Sequence, residues 1–335
     1  MFEFDVVPGS AIKVMLAANL PSAIKTVERA YLAHHDGQTV NPDSYFLQFP
    51  KSPSNRIIAL PASIDGESGV CGIKWIASFP DNIKSGVPRA SAVLLLNDPK
   101  TGYPYACLEG SLISAVRTAA SAVLGAYWLN DMKRKTGTMA FIGAGVIARN
   151  IMDMFVADDW DIQSVSVHDN DMASMQAFCG HAASYGKFET RIQPSLDEAL
   201  QADVIVFATN AGTPYVTPPA KFHGGQVVLN ISLRDIAPEL ILDAVNVFDD
   251  VDHCMKANTS AHLAEQKSGN RNFVTGTLAQ LIRGEKFVDR TKPLIFSPFG
   301  MGILDLALGK DLHEVARRSG LTTAIPDFFG EIRRW

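Results

Sequence analysis

The 335-residue sequence lacks the features that mark several classes of protein, and each missing feature argues against one class. Its four cysteines form no Cys-x-x-Cys pair, which argues against a zinc knuckle or a disulfide framework and favours reduced thiols. No run of 18 apolar residues occurs, so no membrane-spanning helix is predicted. The longest apolar stretch, 112–129, contains Arg117 and is predicted to be a buried helix of a soluble protein.

Charge is also scarce and nearly balanced. Charged residues make up 19% of the chain and the formal net charge is −5, which argues against nucleic acid as the main partner. An acidic small molecule held by local arginines stays possible. The N-terminal Met-Phe-Glu-Phe-Asp has acids where a signal peptide has basic residues, so no leader and a cytoplasmic location are expected.

Familiar catalytic motifs are absent as well. The sequence has no Gly-x-Ser-x-Gly, no Walker loop and no His-Glu-x-x-His. The acidic run at residues 249–253 is interpreted as a solvated loop, so no metal site is predicted.

The sequence instead has two regions with different patterns of predicted strands and helices. A chain of this length is expected to form two domains. In the first part, an amphipathic helix is predicted within residues 10–35, starting at Pro21-Ser22. Short β-rich runs broken by proline and glycine follow. The strands predicted there span residues 45–49, 56–62, 72–76, 92–96 and 103–108. A long helix is predicted at 111–129, and a final helix at 303–319 is expected to return to the first domain.

From residue 138 onward, strands alternate with helical patterns. The predicted strands span residues 139–142, 165–168, 204–208, 227–230 and 245–248. This alternation favours a parallel sheet with right-handed crossovers. The predicted fold class is therefore α/β, with a Rossmann doubly wound domain at residues 116–304. Residues 1–115 and 305–335 are predicted to form a β-rich second domain.

A glycine motif lies at the start of the alternating part. A short apolar run leads into Gly143-x-Gly145-x-x-Ala148, where the glycines permit a tight turn and close backbone approach to a pyrophosphate. A second β-like run ends in Asp169, at about the spacing of roughly 20 residues expected for an acid that binds an adenosine ribose. No Arg or Lys follows to hold a 2′-phosphate, so NAD is favoured over NADP. The alternative is a glycine turn in another α/β unit.

Three charged residues lie in apolar or small-residue surroundings, where an unpaired charge is costly. They are Lys74, Arg117 and Asp235. Each has a structural alternative to a functional role. The Lys74 ammonium can extend to solvent from an amphipathic strand, Arg117 can form an ion pair between domains, and Asp235 can be a loop residue or helix cap.

Five motifs occur in order along the chain: Gly-Ile-Lys-Trp-Ile at 72–76, Asn-Asp-x-x-Thr-Gly-Tyr-Pro at 97–104, Arg-Thr-Ala-Ala at 117–120, Ile-Gly-Ala-Gly at 142–145 and Gly-Met-Gly-Ile-Leu-Asp at 300–305. In these motifs the sequence resembles the ornithine cyclodeaminase and mu-crystallin family over nearly its whole length. Residues 72–98 look most like the branch that makes 2,3-diaminopropionate for siderophores. Enzymes of that branch oxidise N-(1-amino-1-carboxy-2-ethyl)-glutamate with NAD and release 2-oxoglutarate and 2,3-diaminopropionate.

The resemblance implies roles for individual residues. Lys74 and Asp235 match the catalytic residues, and Arg56, Lys74 and Arg117 match those that bind the substrate. The implied cofactor-binding residues are Ser91, Arg117, Gly143, Ala144, Gly145, Val146, Ile147, Asp169, Thr209, Ser232 and Met301. Gln48 falls where related sequences carry another arginine, which leaves the exact substrate open.

The resemblance also implies a homodimer that pairs through the β-rich domain, and neither nucleic acid nor a membrane is an expected partner. Two other functions stay open. One is a true cyclodeaminase that converts ornithine to proline and ammonia. The other is a crystallin-like protein that binds a nucleotide without turnover, which the joint presence of Lys74, Arg117 and Asp235 disfavours.

Overall fold

The structure is a computed structural model that describes residues 3–66 and 69–331. The chain divides into two compact units. The first unit is Met1–Arg117 with Met301–Trp335, and the second unit is Thr118–Gly300. The first boundary lies at residue 117 against the predicted 115, and the second at residue 301 against the predicted 305.

The strands in chain order are β1 (Asp5–Val7), β2 (Thr39–Val40), β3 (Tyr45–Gln48), β4 (Arg56–Ile64), β5 (Val70–Ser78), β6 (Ala90–Asn97), β7 (Pro104–Glu109), β8 (Lys135–Ile142), β9 (Asp161–His168), β10 (Glu189–Ile192), β11 (Val204–Phe207), β12 (Val227–Asn230), β13 (Val245–Phe248), β14 (Val274–Thr277), β15 (Leu294–Ser297) and β16 (Thr323–Ala324).

The α-helices are α1 (Gly9–Ala18), α2 (Ser22–His35), α3 (Gly110–Leu129), α4 (Val146–Ala157), α5 (Met172–Ala183), α6 (Leu196–Ala199), α7 (Pro238–Leu242), α8 (Val251–Cys254), α9 (Ser260–Ser268), α10 (Leu278–Ile282) and α11 (Gly302–Arg318). A 3₁₀ helix spans Pro80–Ser85.

The first unit is built on an eight-stranded sheet in the order β16-β1-β7-β6-β5-β4-β2, with β3 also paired to β4. Strands β4 to β7 form an antiparallel meander. Helix α11 packs on β4, β5 and β6, and glycines permit the close approach. A Cβ atom at Gly309 would lie 2.1 Å from Leu94 Cδ2, and one at Gly72 would lie 3.0 Å from Leu306 Cδ2 on α11.

The second unit is an eight-stranded sheet in the order β10-β9-β8-β11-β12-β15-β13-β14, and every described pairing in it is parallel. From β8 the chain first builds outward through β9 and β10, and then returns to the other side of β8 with β11. This reversal is the switch point at which doubly wound sheets form their ligand crevice. The central strands β11, β12, β13 and β15 are buried throughout, as expected for a sheet covered on both faces.

One described helix, α3, is long and apolar enough to cross a membrane, and 72% of its apolar window is buried inside the structure. Burial of this kind is typical of a core helix. Within the second unit, its Gly125 lies so close to the Phe296 ring that a Cβ atom would meet it at 2.3 Å.

All ten strands predicted from the sequence are present, with ends shifted by up to four residues, and the helices at α3 and α11 are confirmed. The region 10–35 contains two helices, α1 and α2, where one was predicted from Pro21-Ser22. The strands β1, β2, β10, β14, β15 and β16 were not predicted. Strand β15 is short and lies between Pro293 and Pro298, so its sequence resembles a loop although it is central in the sheet.

Candidate active site

Lys74 lies in the middle of β5, opposite Leu60 on β4 and Leu94 on β6. Its side chain is buried under α11, so the alternative in which its ammonium extends to solvent is wrong. Lys74 Nζ donates to Asp305 Oδ2 at 2.7 Å and to Ser114 Oγ at 3.1 Å. Burial lowers the pKa of Lys74 to about 8, because desolvation and the positive charge of Arg117 outweigh the attraction of Asp305.

Arg117 extends from α3 to the same carboxylate. Its Nε donates to Asp305 Oδ1 at 3.4 Å, and its Nη2 donates to Ser114 Oγ, one turn earlier, at 3.4 Å. The Arg117 side chain is 13% exposed, whereas Asp305 is fully buried. The ion pair lies within the first unit and does not link two domains as the structural alternative held. Two cations therefore share one buried carboxylate in this part of the structure.

Asp305 was quoted in the 300–305 motif but was not predicted to be a site residue. It lies in the first turn of α11, whose other buried residues are apolar apart from His313, and this helix packs on the sheet. A single acid on the buried face of an amphipathic helix is a signal that the sequence offered. Ser114 was also missed, because serine in an alanine-rich helix carries no comparable signal.

Asp235 lies in the loop after β12 and is completely buried. Its Oδ1 accepts hydrogen bonds from the hydroxyls of Thr209 and Tyr215, the latter at 3.0 Å, and its Oδ2 accepts from the Ser232 hydroxyl. The N-cap of the next helix is Ala237, so the helix-cap alternative for Asp235 is wrong.

Tyr215 was not predicted, and no sequence motif distinguishes it. Its backbone N–H donates to the Asp235 carbonyl at 3.0 Å, so the two residues are linked by both main chain and side chain. Burial raises the pKa of the Tyr215 hydroxyl, and the negative charge of Asp235 raises it further. This hydroxyl therefore stays protonated and acts as a donor to the carboxylate.

The glycine motif forms the turn between β8 and α4. Gly143 has φ of 98°, and a Cβ atom there would lie 2.5 Å from the Ala208 carbonyl oxygen, so only glycine fits. Gly145 is the N-cap of α4 and has open space around its Cβ position. Ala148 is buried in the first turn. Asp169, just after β9, accepts the Ala144 N–H at 2.7 Å.

These residues fit a dinucleotide. The open space at Gly145 lies at the N-terminus of the 12-residue helix α4, where Val146 and Ile147 are the first helical residues and unpaired N–H groups favour an anion. The Asp169 carboxylate uses one oxygen for Ala144 and the other for the Asp171 N–H, which leaves lone pairs on both for a ribose.

The other predicted site residues lie in different places. Thr209 and Ser232 bond to Asp235, as described above. Ser91 is exposed on β6, and Met301 is buried at the N-cap of α11. Arg56 is exposed at the start of β4, four residues from the register partner of Lys74, which is about 13 Å along the strand. The structure therefore does not bring Arg56 together with Lys74. Gln48 is the direct cross-strand neighbour of Arg56.

The acidic run at 249–253 differs from its interpretation as a solvated loop. Asp249 is buried and accepts the N–H groups of Phe299 and Gly300 at 2.9 and 2.7 Å, which fixes the chain end of the second unit. Asp250 caps α8. Among residues 3–66 and 69–331, no group of three or more His, Cys, Asp or Glu side chains is placed to hold a metal ion.

A doubly wound parallel sheet with a Gly-x-Gly turn, accompanied by a β-rich unit with a buried lysine, defines a two-unit oxidoreductase architecture. The chain belongs to the ornithine cyclodeaminase/mu-crystallin family, whose model matches residues 7–320.

Individual relatives cover nearly the whole chain. It is 29% identical to N-((2S)-2-amino-2-carboxyethyl)-L-glutamate dehydrogenase of Staphylococcus aureus (strain NCTC 8325 / PS 47), over 90% of this chain and 92% of the relative. The structure of Thermococcus litoralis Delta(1)-pyrroline-2-carboxylate reductase in complex with NADH and L-proline has a TM-score of 0.88 and 24% identity, covering 96% of this chain and all of that one. An archaeal alanine dehydrogenase dimer with bound NAD has a TM-score of 0.85 and 24% identity, covering 97% of this chain and all of that one.

These similarities confirm the predicted family and the α/β fold with a Rossmann-type domain. The predicted enzyme class, an oxidoreductase, is confirmed as well, since the curated relatives of this family are dehydrogenases and reductases. The two similar structures contain NADH and NAD, respectively.

Proposed function

We propose that this protein oxidises N-(1-amino-1-carboxy-2-ethyl)-glutamate with NAD and hydrolyses the product to 2-oxoglutarate and 2,3-diaminopropionate. The observation that most supports an amino-acid substrate is the buried set of Lys74, Arg117 and Asp305, in which two cations face one carboxylate. The identity to the Staphylococcus aureus dehydrogenase supports the particular substrate.

The reaction balances with water as co-reactant. Bound NAD⁺ would supply a hydride acceptor for the Cα of the glutamate part, and loss of a proton from the adjacent nitrogen would give an imine. Water adds to the imine carbon, and the C–N bond then breaks. The 2-oxoglutarate keeps the new carbonyl oxygen, and 2,3-diaminopropionate takes the nitrogen.

Arg117 and Lys74 would hold the substrate carboxylate next to the reacting carbon, since a guanidinium matches a carboxylate bidentately. Lys74, with a pKa of about 8, would also exchange protons near neutral pH. Its bonds to Asp305 and Ser114 hold the amine in one position while it does so.

Asp235 would serve as the base that activates water and as the partner of the substrate nitrogen. Three hydroxyl donors, from Thr209, Tyr215 and Ser232, orient its carboxylate. In this proposal they are positioning residues, because they act through Asp235.

NAD would bind at the Gly143–Ile147 turn and supply the hydride acceptor. Asp169 would bind the adenosine ribose, and its negative charge would repel the 2′-phosphate of NADP. The absence of a basic residue at positions 170 and 171 supports the preference for NAD.

A homodimer and a cytoplasmic location complete the proposal. The outer face of the first unit's sheet exposes apolar side chains, among them the register partners Trp75 and Val93, which are 41% and 40% exposed. An apolar sheet face of this kind fits a protein interface. The similar alanine dehydrogenase is a dimer.

The test is incubation of purified protein with NAD and the glutamate adduct and, separately, with ornithine. Nicotinamide absorbance is followed, and the products are identified by mass spectrometry. We expect NADH, 2-oxoglutarate and 2,3-diaminopropionate in equal amounts from the adduct.

Proline and ammonia from ornithine without net NADH, with the adduct untouched, would replace the proposal by a cyclodeaminase. NADH binding without turnover of either compound would favour a nucleotide-binding protein.

A further inference from the structure

One end of the first unit's sheet has a concentration of positive charge that the proposed reaction does not yet use. Arg56 begins β4 and lies opposite Ser78, the last residue of β5. Ser78 in turn lies opposite Ala90, the first residue of β6. Neighbouring strands are about 4.8 Å apart, so Arg56 lies about 10 Å from Ala90 across two strands. Arg89 immediately precedes Ala90.

The Arg89 backbone is fixed at this end of the sheet, because its carbonyl accepts the Phe79 N–H at 2.8 Å. The Arg89 side chain is half-buried. The register of β4, β5 and β6 places Arg56 and Arg89 at the same end of the sheet. Burial lowers the pKa of the Arg89 guanidinium, and the positive charge of Arg56 lowers it further.

Neither Arg56 nor Arg89 forms a salt bridge within the described residues, although most other arginines there do. Two neighbouring guanidinium groups without an acid repel each other. The half-buried guanidinium of Arg89 also loses part of its hydration, which is unfavourable. An anion placed between them would remove both costs, and a carboxylate matches the planar forks of two arginines.

The location along the sheet suggests which anion. Arg56 lies four residues from Leu60, the cross-strand partner of Lys74, and alternation along β4 places it on the same face of the sheet. The separation along the strand is about 13 Å, and the long side chains of lysine and arginine span part of it. A substrate held at Lys74 by one carboxylate would reach this end only with a second, more distant carboxylate.

We propose that Arg89 and Arg56 together bind the side-chain carboxylate of the glutamate part of the substrate, and that Arg89 is a determinant of specificity for dicarboxylates. This inference rests on the proposed function for the identity of the substrate. The neutral Gln48 beside Arg56 leaves the binding of this carboxylate to the two arginines.

The test uses ligand binding, so that it does not depend on turnover. The full-length protein is titrated by calorimetry, with and without NADH, with 2-oxoglutarate and with 2-oxopentanoate. The second acid has the same chain length but lacks the distal carboxylate. We expect the wild type to bind 2-oxoglutarate at least about tenfold more tightly, as one hydrogen-bonded charge pair gives.

In Arg89→Gln, we expect that preference to fall by about tenfold while affinity for 2-oxopentanoate is unchanged. Arg89→Lys keeps the positive charge but loses the planar N–H donors of the guanidinium, so it should retain part of the preference for 2-oxoglutarate. Lys84→Gln is the matched control, because it removes a cation from the same segment, one that pairs with the exposed Asp81. It should bind both acids like the wild type.

Equal binding of the two acids by the wild type would overturn the proposal, as would an unchanged preference in both Arg89 variants. The thermal unfolding midpoints of the variants show whether each is folded. Oxidation of the glutamate adduct, followed by absorbance, is measured separately and tests the proposed function alone.

Discussion

Lys74 in the first unit and Asp235 in the second are both buried ionic side chains, and they are stabilised in different ways. Lys74 in the first unit is held by an opposite charge, Asp305, and lies near a like charge, Arg117. Asp235 in the second unit is held by three neutral hydroxyls and forms no salt bridge within the described part of the chain. Ion pairing ties several residues into one set that fails when a member is lost. Hydroxyl donors each contribute a smaller and more separable part.

The largest expected effect would come from breaking the ionic set. Asp305→Asn leaves Lys74 and Arg117 buried without an anion, and we expect the free energy of unfolding to fall by about 3–5 kcal/mol. Urea denaturation measures it. Asp311→Asn on the same helix is the control, because its pair with Arg29 is exposed, and it should cost about 1 kcal/mol or less. Similar losses in the two variants would show that the buried set is not ionic in solution.

The second largest expected effect is a loss of turnover when the proposed catalytic residue of either unit is replaced. Lys74→Met and Asp235→Asn should each lower turnover of the glutamate adduct by about 100-fold or more, since positioned acid–base groups contribute this much. NAD affinity should stay nearly unchanged in both. Steady-state rates and NADH fluorescence titrations measure the two quantities. A variant with near-normal turnover would remove its residue from the mechanism.

A smaller effect is expected for a single hydroxyl. Tyr215→Phe removes one of three donors to Asp235, and we expect turnover to fall by about tenfold, which corresponds to about 1.4 kcal/mol. Tyr185→Phe is the control, because its hydroxyl also donates to a carboxylate, Asp153, but at a part-buried place outside this cluster. Loss of turnover as large as in Asp235→Asn would mean that Tyr215 itself takes part in proton transfer.

The smallest effect is a shift in pH dependence. The pKa of Lys74 is lowered from 10.5 to about 8, so its neutral amine becomes available as pH rises through about 8. If the amine accepts a proton, kcat/KM should rise with pH to a plateau above that value. Asp305 favours the ammonium form, so Asp305→Asn should move the midpoint to lower pH. An unchanged midpoint in this variant would show that another group titrates.

The free energy of unfolding should also rise with pH between about pH 8 and 10.5. The folded pKa of Lys74 lies below its unfolded value, so the unfolded chain binds more protons between pH 8 and 10.5. The contribution of Lys74 to stability therefore becomes more favourable as pH rises across that range.

The sequence predicted the parts of the fold that have local signals. Gly143 and Gly145 after an apolar run located the first strand and helix of the second unit, and β-branched runs located its central strands. It did not predict β15, since four residues between prolines become a strand only through pairing with β12 and β13. Pairing of this kind is a long-range contact that no local pattern encodes.

The candidate site divides in the same way. The sequence alone identified Lys74, Arg117 and Asp235, because a charged residue among apolar neighbours can be recognised without a structure. Asp305 is 231 residues from Lys74, and Tyr215 is 20 residues from Asp235, so their partnerships became visible only in the folded chain. Arg89 lies within residues 72–98 but was not predicted to be a site residue, and its proximity to Arg56 depends on the register of β4, β5 and β6.

The composition of the buried set in the first unit has one further consequence, for the proton balance of ligand binding. Lys74, Arg117 and Asp305 together carry one excess positive charge when the lysine is protonated. An incoming carboxylate supplies the missing negative charge and raises the pKa of Lys74. At a pH near 8 a fraction of the empty sites is unprotonated, so carboxylate binding should draw protons from the solution. The apparent heat of binding should then vary with the ionisation enthalpy of the buffer.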